Sequence, residues 1–72
     1  MLAMPHSVTG DVVSVNPRAL MFTLQATDGK TVLLKADTET AAQARDLTPG
    51  AHVKVSYKNS QGQKVATKIT PS

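Results

Sequence analysis

The chain has no cysteine, no tryptophan, and as aromatics only Phe22 and Tyr57. Without thiols it can form neither a disulfide framework nor a thiolate metal site. A fold this small must therefore be held by packing alone. So few rings also leave little material for a surface on which nucleic-acid bases stack. No apolar run approaches the roughly 18 residues that span a bilayer. The longest, Ala19-Leu20-Met21-Phe22, belongs to a strand pattern.

Catalytic material is equally scarce. The carboxylates are Asp11, Asp28, Asp37, Glu39 and Asp46. Asp28 is accounted for by a turn, Asp37 by a helix start, and Glu39 and Asp46 by a solvated helix. Asp11 lies within a strand and has no evident partner. No serine sits in an elbow motif, and two histidines without a nucleophile make no triad. A small barrel filled by its own side chains offers no cleft either. Enzymatic activity is not expected, and no cofactor is called for.

What is present is a pattern of short β-type runs. Seventy-two residues allow one domain with a thin stability margin. Closing a sheet on itself suits such a chain, because closure removes the edges and encloses an apolar line. The net charge of +3 is mildly basic and favours weak attraction to nucleic acid, anionic lipid or an acidic protein. It falls short of the dense stripe of a strong phosphate binder. Met1-Leu2-Ala3 is too short for a secretory signal. Ala3 suits a cleavage site, so it reads either as the stub of one or as an ordinary start.

Val8 to Val15 reads as the first strand, rich in β-branched residues, with Gly10 marking a bulge or a close backbone approach. Val8 and Val12 share one parity and Val13 and Val15 the other, as in a strand that bends and serves both halves of a barrel. Asn16-Pro17-Arg18 is a turn. Leu20 to Ala26 alternates cleanly, with Leu20, Phe22, Leu24 and Ala26 on one face. Asp28-Gly29 is the strongest hairpin signal in the chain, and Thr31 to Ala36 follows with Val32, Leu34 and Ala36 inward. Asp37 to Leu47 holds good helix formers, with Asp37 or Thr38 as cap and one or two turns expected. Leu47 is expected to plug the barrel mouth. His52 to Lys58 is strand four, with Val53, Val55 and Tyr57 inward. Strand five runs from Gln63 or Lys64 to Thr70, with Val65 and Ile69 inward. These divisions give a flexible segment 1–7, a barrel domain 8–70 and a tail 71–72.

The order β-β-β-α-β-β is that of an OB-like barrel, an all-β fold of five strands with one short helix between strands three and four. Val8-Thr9-Gly10-x-Val12-x-x-Val15-x-Pro17, Phe22-Thr23-Leu24, Asp28-Gly29-Lys30, Leu47-x-x-Gly50-x-x-Val53-x-Val55-x-Tyr57 and Val65-Ala66-Thr67-x-Ile69 resemble a family of small bacterial OB-like domains of unknown function. Those domains are usually exported to the cell envelope, which implies a periplasmic or envelope location here if an export signal was removed. A cytoplasmic location follows otherwise. More distantly, the chain resembles the periplasmic copper- and silver-binding chaperones that serve metal efflux pumps. Their soft-metal site takes a histidine late in strand two and methionines in strand three, with a tryptophan over the metal. The matching stretch, Gln25 to Leu33, holds none of these residue types.

The richest surface feature is a set of lysines. Lys54, Lys58, Lys64 and Lys68 fall on outward parities of the last two strands, with His52 beside them. They form a candidate patch for a phosphate or an acidic protein partner. The same lysines also keep an outer strand face soluble and discourage edge pairing. Phe22 and Tyr57 both lie on inward parities, so nucleic-acid binding by this face would be weak and without sequence preference. Met4-Pro5-His6, with Met1 and Met21, offers soft ligands of the kind copper(I) prefers. Pro5 has no N–H and defeats an amino-terminal copper(II) site. The expectation is a non-catalytic binding module, monomeric, with an unknown protein or anionic partner and no membrane span.

Overall fold

The computed structural model describes residues His6 to Ser72. The elements run β1 (His6–Asn16), β2 (Met21–Ala26), β3 (Thr31–Ala36), α1 (Ala41–Arg45), β4 (His52–Ser60) and β5 (Gln63–Pro71). The strands close into a barrel in the order β1-β2-β3-β5-β4. Every neighbouring pair is antiparallel except β3 and β5. The fold is the five-stranded barrel with one short helix between β3 and β4 that the alternation of the sequence implies.

β1 is the strand that serves both halves. Its first part, from His6 to Asp11, pairs with β4, and the part from Gly10 to Asn16 pairs with β2. At Gly10, where β1 contacts both neighbours, an added Cβ would overlap the Gln25 carbonyl, so only glycine lets the backbones approach this closely. A bulge lies between Val12 and Ser14. It turns Val13 out to 51% exposure and returns Val15 to the inner face, opposite buried Phe22. The valine parity change is therefore local, at one bulged residue. At the hairpin after β2, Gly29 adopts φ of +88°, and the Lys30 N–H donates to Asp28 Oδ1 at 3.0 Å.

The interior is made by Val12, Phe22, Leu24, Leu34, Ala36, Ala44, Val53, Val55, Ala66 and Ile69. Leu20, Val32, Leu47 and Tyr57 pack half-buried at its margins. Leu20 sits before β2 with a positive φ of 55°, and its carbonyl accepts the Ala36 N–H at 2.7 Å.

The helix is shorter than the Asp37–Leu47 stretch suggests. It spans Ala41–Arg45, with Thr40 rather than Asp37 or Thr38 at the N-cap position. Asp37 and Thr40 instead lock the approach to it. The Thr40 N–H donates to Asp37 Oδ1 at 2.8 Å, and the Asp37 N–H donates to Thr40 Oγ1 at 3.0 Å. The Thr40 hydroxyl is buried within reach of the Asp37 carboxylate at 2.9 Å and the Ala66 carbonyl at 3.1 Å. Gln43 adds a bond from Nε2 to the Ile69 carbonyl at 3.2 Å. The helix is thereby fastened along β5 where β3 has already ended.

Two boundaries and one inward face differ from the sequence expectation. His6 and Ser7 belong to β1, opposite Tyr57 and Ser56, so only residues 1–5 of the expected flexible segment lie outside the described residues. Pro71 pairs with Val53, and the Ser72 N–H donates to the His52 carbonyl at 3.0 Å, so the expected tail continues the ladder. An edge-compatible proline can close a strand in this way. In β5 it is Ala66 and Ile69 that face inward, not Val65 and Ile69. The cause is a bulge opposite Ser56 and Tyr57: Ser56 pairs with Lys68 and Tyr57 with Ala66, leaving Thr67 as the extra residue. Everything in β5 before Thr67 therefore changes face.

Candidate binding surface

The β4–β5 register places three of the four lysines on the barrel's outer face. Lys54 opposes Thr70, Lys68 opposes Ser56, and Lys58 opposes Val65. Diagonal neighbours on such a face have Cα atoms about 7–8 Å apart, close enough for extended lysines to act on one ligand. A fourth lysine comes from elsewhere. Lys35 of β3 aligns with Val65, so Lys35 and Lys58 flank the same half-buried valine. Lys54, Lys68, Lys58 and Lys35 thus form a zigzag across β4, β5 and β3, and all are exposed. Among the described residues none of them forms a salt bridge. The place of Lys35 depends on the parallel β3–β5 closure, which no local pattern in the sequence announces.

Lys64 does not join this row. The Thr67 bulge turns it to the side of Tyr57, where it opposes Asn59 and its Nζ lies 5.9 Å from the Tyr57 ring centroid. On the same ring the His6 imidazole stacks at 5.5 Å between centroids and 19° between planes. Tyr57 is on the inward parity, as expected, yet sits half-buried at the barrel's end rather than in its centre. Its ring is engaged by a histidine and a lysine, so it is not a free platform for a base.

His52 stands beside the row but is committed elsewhere. Its Nδ1 is 2.6 Å from Asp11 Oδ1 across the β1–β4 pair, which supplies the partner that Asp11 lacked in sequence. Both side chains are about half exposed, so water screens the pair and its contribution to stability is small. Asp37, at the end of β3, is the other carboxylate near the row. The Thr40 backbone N–H holds its carboxyl below the usual carboxylate range, with lesser help from the Thr40 hydroxyl, the Glu39 N–H and the charge of Lys58.

A second surface lies on the outer side of β1–β3. A shallow groove of about 450 Å³ runs between the Asn16-Pro17 turn and Leu33, floored by Met21 and Thr23. Leu33 is 55% exposed at its edge. The soft ligands Met1 and Met4 lie outside the described residues. Among the described residues no three His, Cys, Asp or Glu side chains converge, and no helix is long and apolar enough to cross a membrane.

No protein-family model matches this chain, and no curated protein matches it by sequence. The fold, however, is shared with solved structures of CusF. The silver(I) form superposes with a TM-score of 0.78 at 12% identity, covering 97% of this chain and 100% of the other. The metal-free protein from Escherichia coli gives a TM-score of 0.75 at 15% identity, over 97% of this chain and 92% of that one. A tryptophan-to-alanine variant from the same organism, with copper(II), gives 0.77 at 14%, over 100% and 99%. The likeness covers the whole barrel. At these identities it is a likeness of backbone.

Proposed function

We propose that the protein is a non-catalytic binding module whose lysine row on β3, β4 and β5 docks an acidic protein partner in the bacterial envelope. The observation that carries this is the convergence of Lys35, Lys54, Lys58 and Lys68 on one outer face, none of them in a salt bridge among the described residues. Cations held on one strand face, outside salt-bridge distance of a carboxylate, steer an acidic partner and set its register more than they set its affinity. The envelope placement rests on the resemblance to small exported OB-like domains.

Soft-metal binding is suggested by the silver and copper carried by the CusF structures. It has weaker support, because Gln25 to Leu33 holds no histidine, methionine or cysteine. Weak nucleic-acid binding has the charge it needs but lacks a free ring, since His6 and Lys64 occupy Tyr57.

Titration with a short Glu-rich peptide, followed by amide and lysine-methylene NMR, tests the proposal. Shifts confined to Lys35, Lys54, Lys58 and Lys68, fading as salt is raised, are expected. A titration that leaves these lysines unmoved at low salt overturns it. Shifts appearing with oligonucleotide and not with peptide transfer the face to nucleic acid.

A further inference from the structure

The barrel closes at β3 and β5 through two residue pairs only, Lys35 with Val65 and Ala36 with Ala66. Before Lys35, β3 has β2 on one side and, among the described residues, no strand on the other. The direction of its backbone groups is fixed by one bond. The Ala36 N–H points toward the β2 side, to the Leu20 carbonyl at 2.7 Å. Alternation along a strand then turns Val32 and Leu34 toward β2, and Thr31 and Leu33 toward the open side. Thr31 and Leu33 are both exposed, and neither belongs to a β3–β5 rung. Among the described residues the N–H and C=O groups of these two have no strand partner and form a short open edge inside an otherwise closed barrel. Such edges are commonly guarded by charge, because they invite another strand.

The charges here select what can be invited. Lys30 precedes the edge, Lys35 ends it, and Lys58 and Lys64 oppose or adjoin Val65 across the seam. Asp28 and Asp37, the carboxylates that flank the edge in sequence, keep their charge but are outnumbered by these four lysines. Asp28 Oδ1 accepts the Lys30 N–H, and Asp37 is bonded to Thr40. A second copy of this chain would bring the same lysines against these. An acidic segment would be drawn in. Leu33 adds a side-chain requirement, since its 55% exposed side chain borders the Met21–Thr23 groove.

We infer that the Thr31–Leu33 edge of β3 accepts an extended acidic peptide as an added strand, with an apolar residue set beside Leu33. Strand addition supplies affinity through main-chain bonds and specificity through alternate side chains. The inference rests on the proposed acidic-partner function and specifies how the partner is held.

The test uses a peptide of alternating Glu and Val, and the same peptide N-methylated at every second residue in each of the two phases. Expected with the unmodified peptide are slowed amide exchange at Thr31 and Leu33 and binding lost on the order of tenfold or more in one N-methyl phase only. Thr31→Pro should weaken binding to a similar degree while leaving the fold intact, because the N–H it removes faces the open side. Equal binding of both methylated phases with shifts on the lysines overturns strand addition and leaves the acidic-partner function standing. No binding of any peptide overturns both. Protection of Thr31 and Leu33 that rises with protein concentration, without peptide, assigns the edge to self-association and overturns the inference.

Discussion

At the scale of the residue, Gly10 and Asp37 show how tightly single positions are specified. Gly10 brings β1 against the Gln25 backbone, and backbone cannot move aside as a side-chain tip can. Gly10→Ala is expected to destabilise the barrel by about 1–3 kcal/mol, read as a lowered urea midpoint with little change in slope. Asp37 has its carboxyl held low in the folded state by the Thr40 N–H. A carboxyl depressed on folding contributes stability that is present above its unfolded value and lost as pH falls through its folded one. Stability should therefore drop below about pH 4, and Asp37→Asn should be less stable at neutral pH with a flatter acid limb. An unchanged acid limb in that variant would remove Asp37 from the account.

At the scale of the element, the bulges decide which face a residue takes. Alternation alone assigns Leu20 to Ala26 and Val53 to Tyr57 correctly in parity, because β2 and β4 run without an extra residue of their own. It fails in β5 because Thr67 is unopposed, and a one-residue slip exchanges inside for outside. That one residue puts Val65 and Lys64 on the faces opposite to those alternation predicts, while Lys68 and Ile69, beyond it, keep theirs. The consequence is measurable by a paired substitution. Ala66→Val should overpack a fully buried site and cost about 1–3 kcal/mol, whereas Val65→Ala, on the outer face, should cost less than about 1 kcal/mol. The reverse order in denaturant titrations would restore the regular ladder. The helix was legible in kind but not in length, since Thr40 is spent on Asp37 and Ala66 instead of on a longer first turn.

At the scale of the whole molecule, the fold was legible because five amphipathic runs and their turns have few ways to enclose an apolar face. The candidate surface was only partly so. Lys54, Lys58 and Lys68 follow from local parity, while Lys35 enters through a parallel contact between distant segments and Lys64 leaves through a bulge. His52 and Asp11 meet only because β1 crosses to β4. Converting Lys58 and Lys68 together to Glu changes the net charge from +3 to −1, each reversal removing two units. That variant should keep its melting temperature within a few degrees and lose acidic-peptide binding altogether. Retained binding would place the partner on another face.

The two rungs that join Lys35–Ala36 to Val65–Ala66 also bear on how this chain arrives at its shape. Hairpins zip early because their ends start close together, but these rungs must wait for the helix and the β4–β5 ribbon to swing home. Once made, they are the shortest ladder in the cylinder, and so the place where it should momentarily unlatch while the hairpins on either side stay whole.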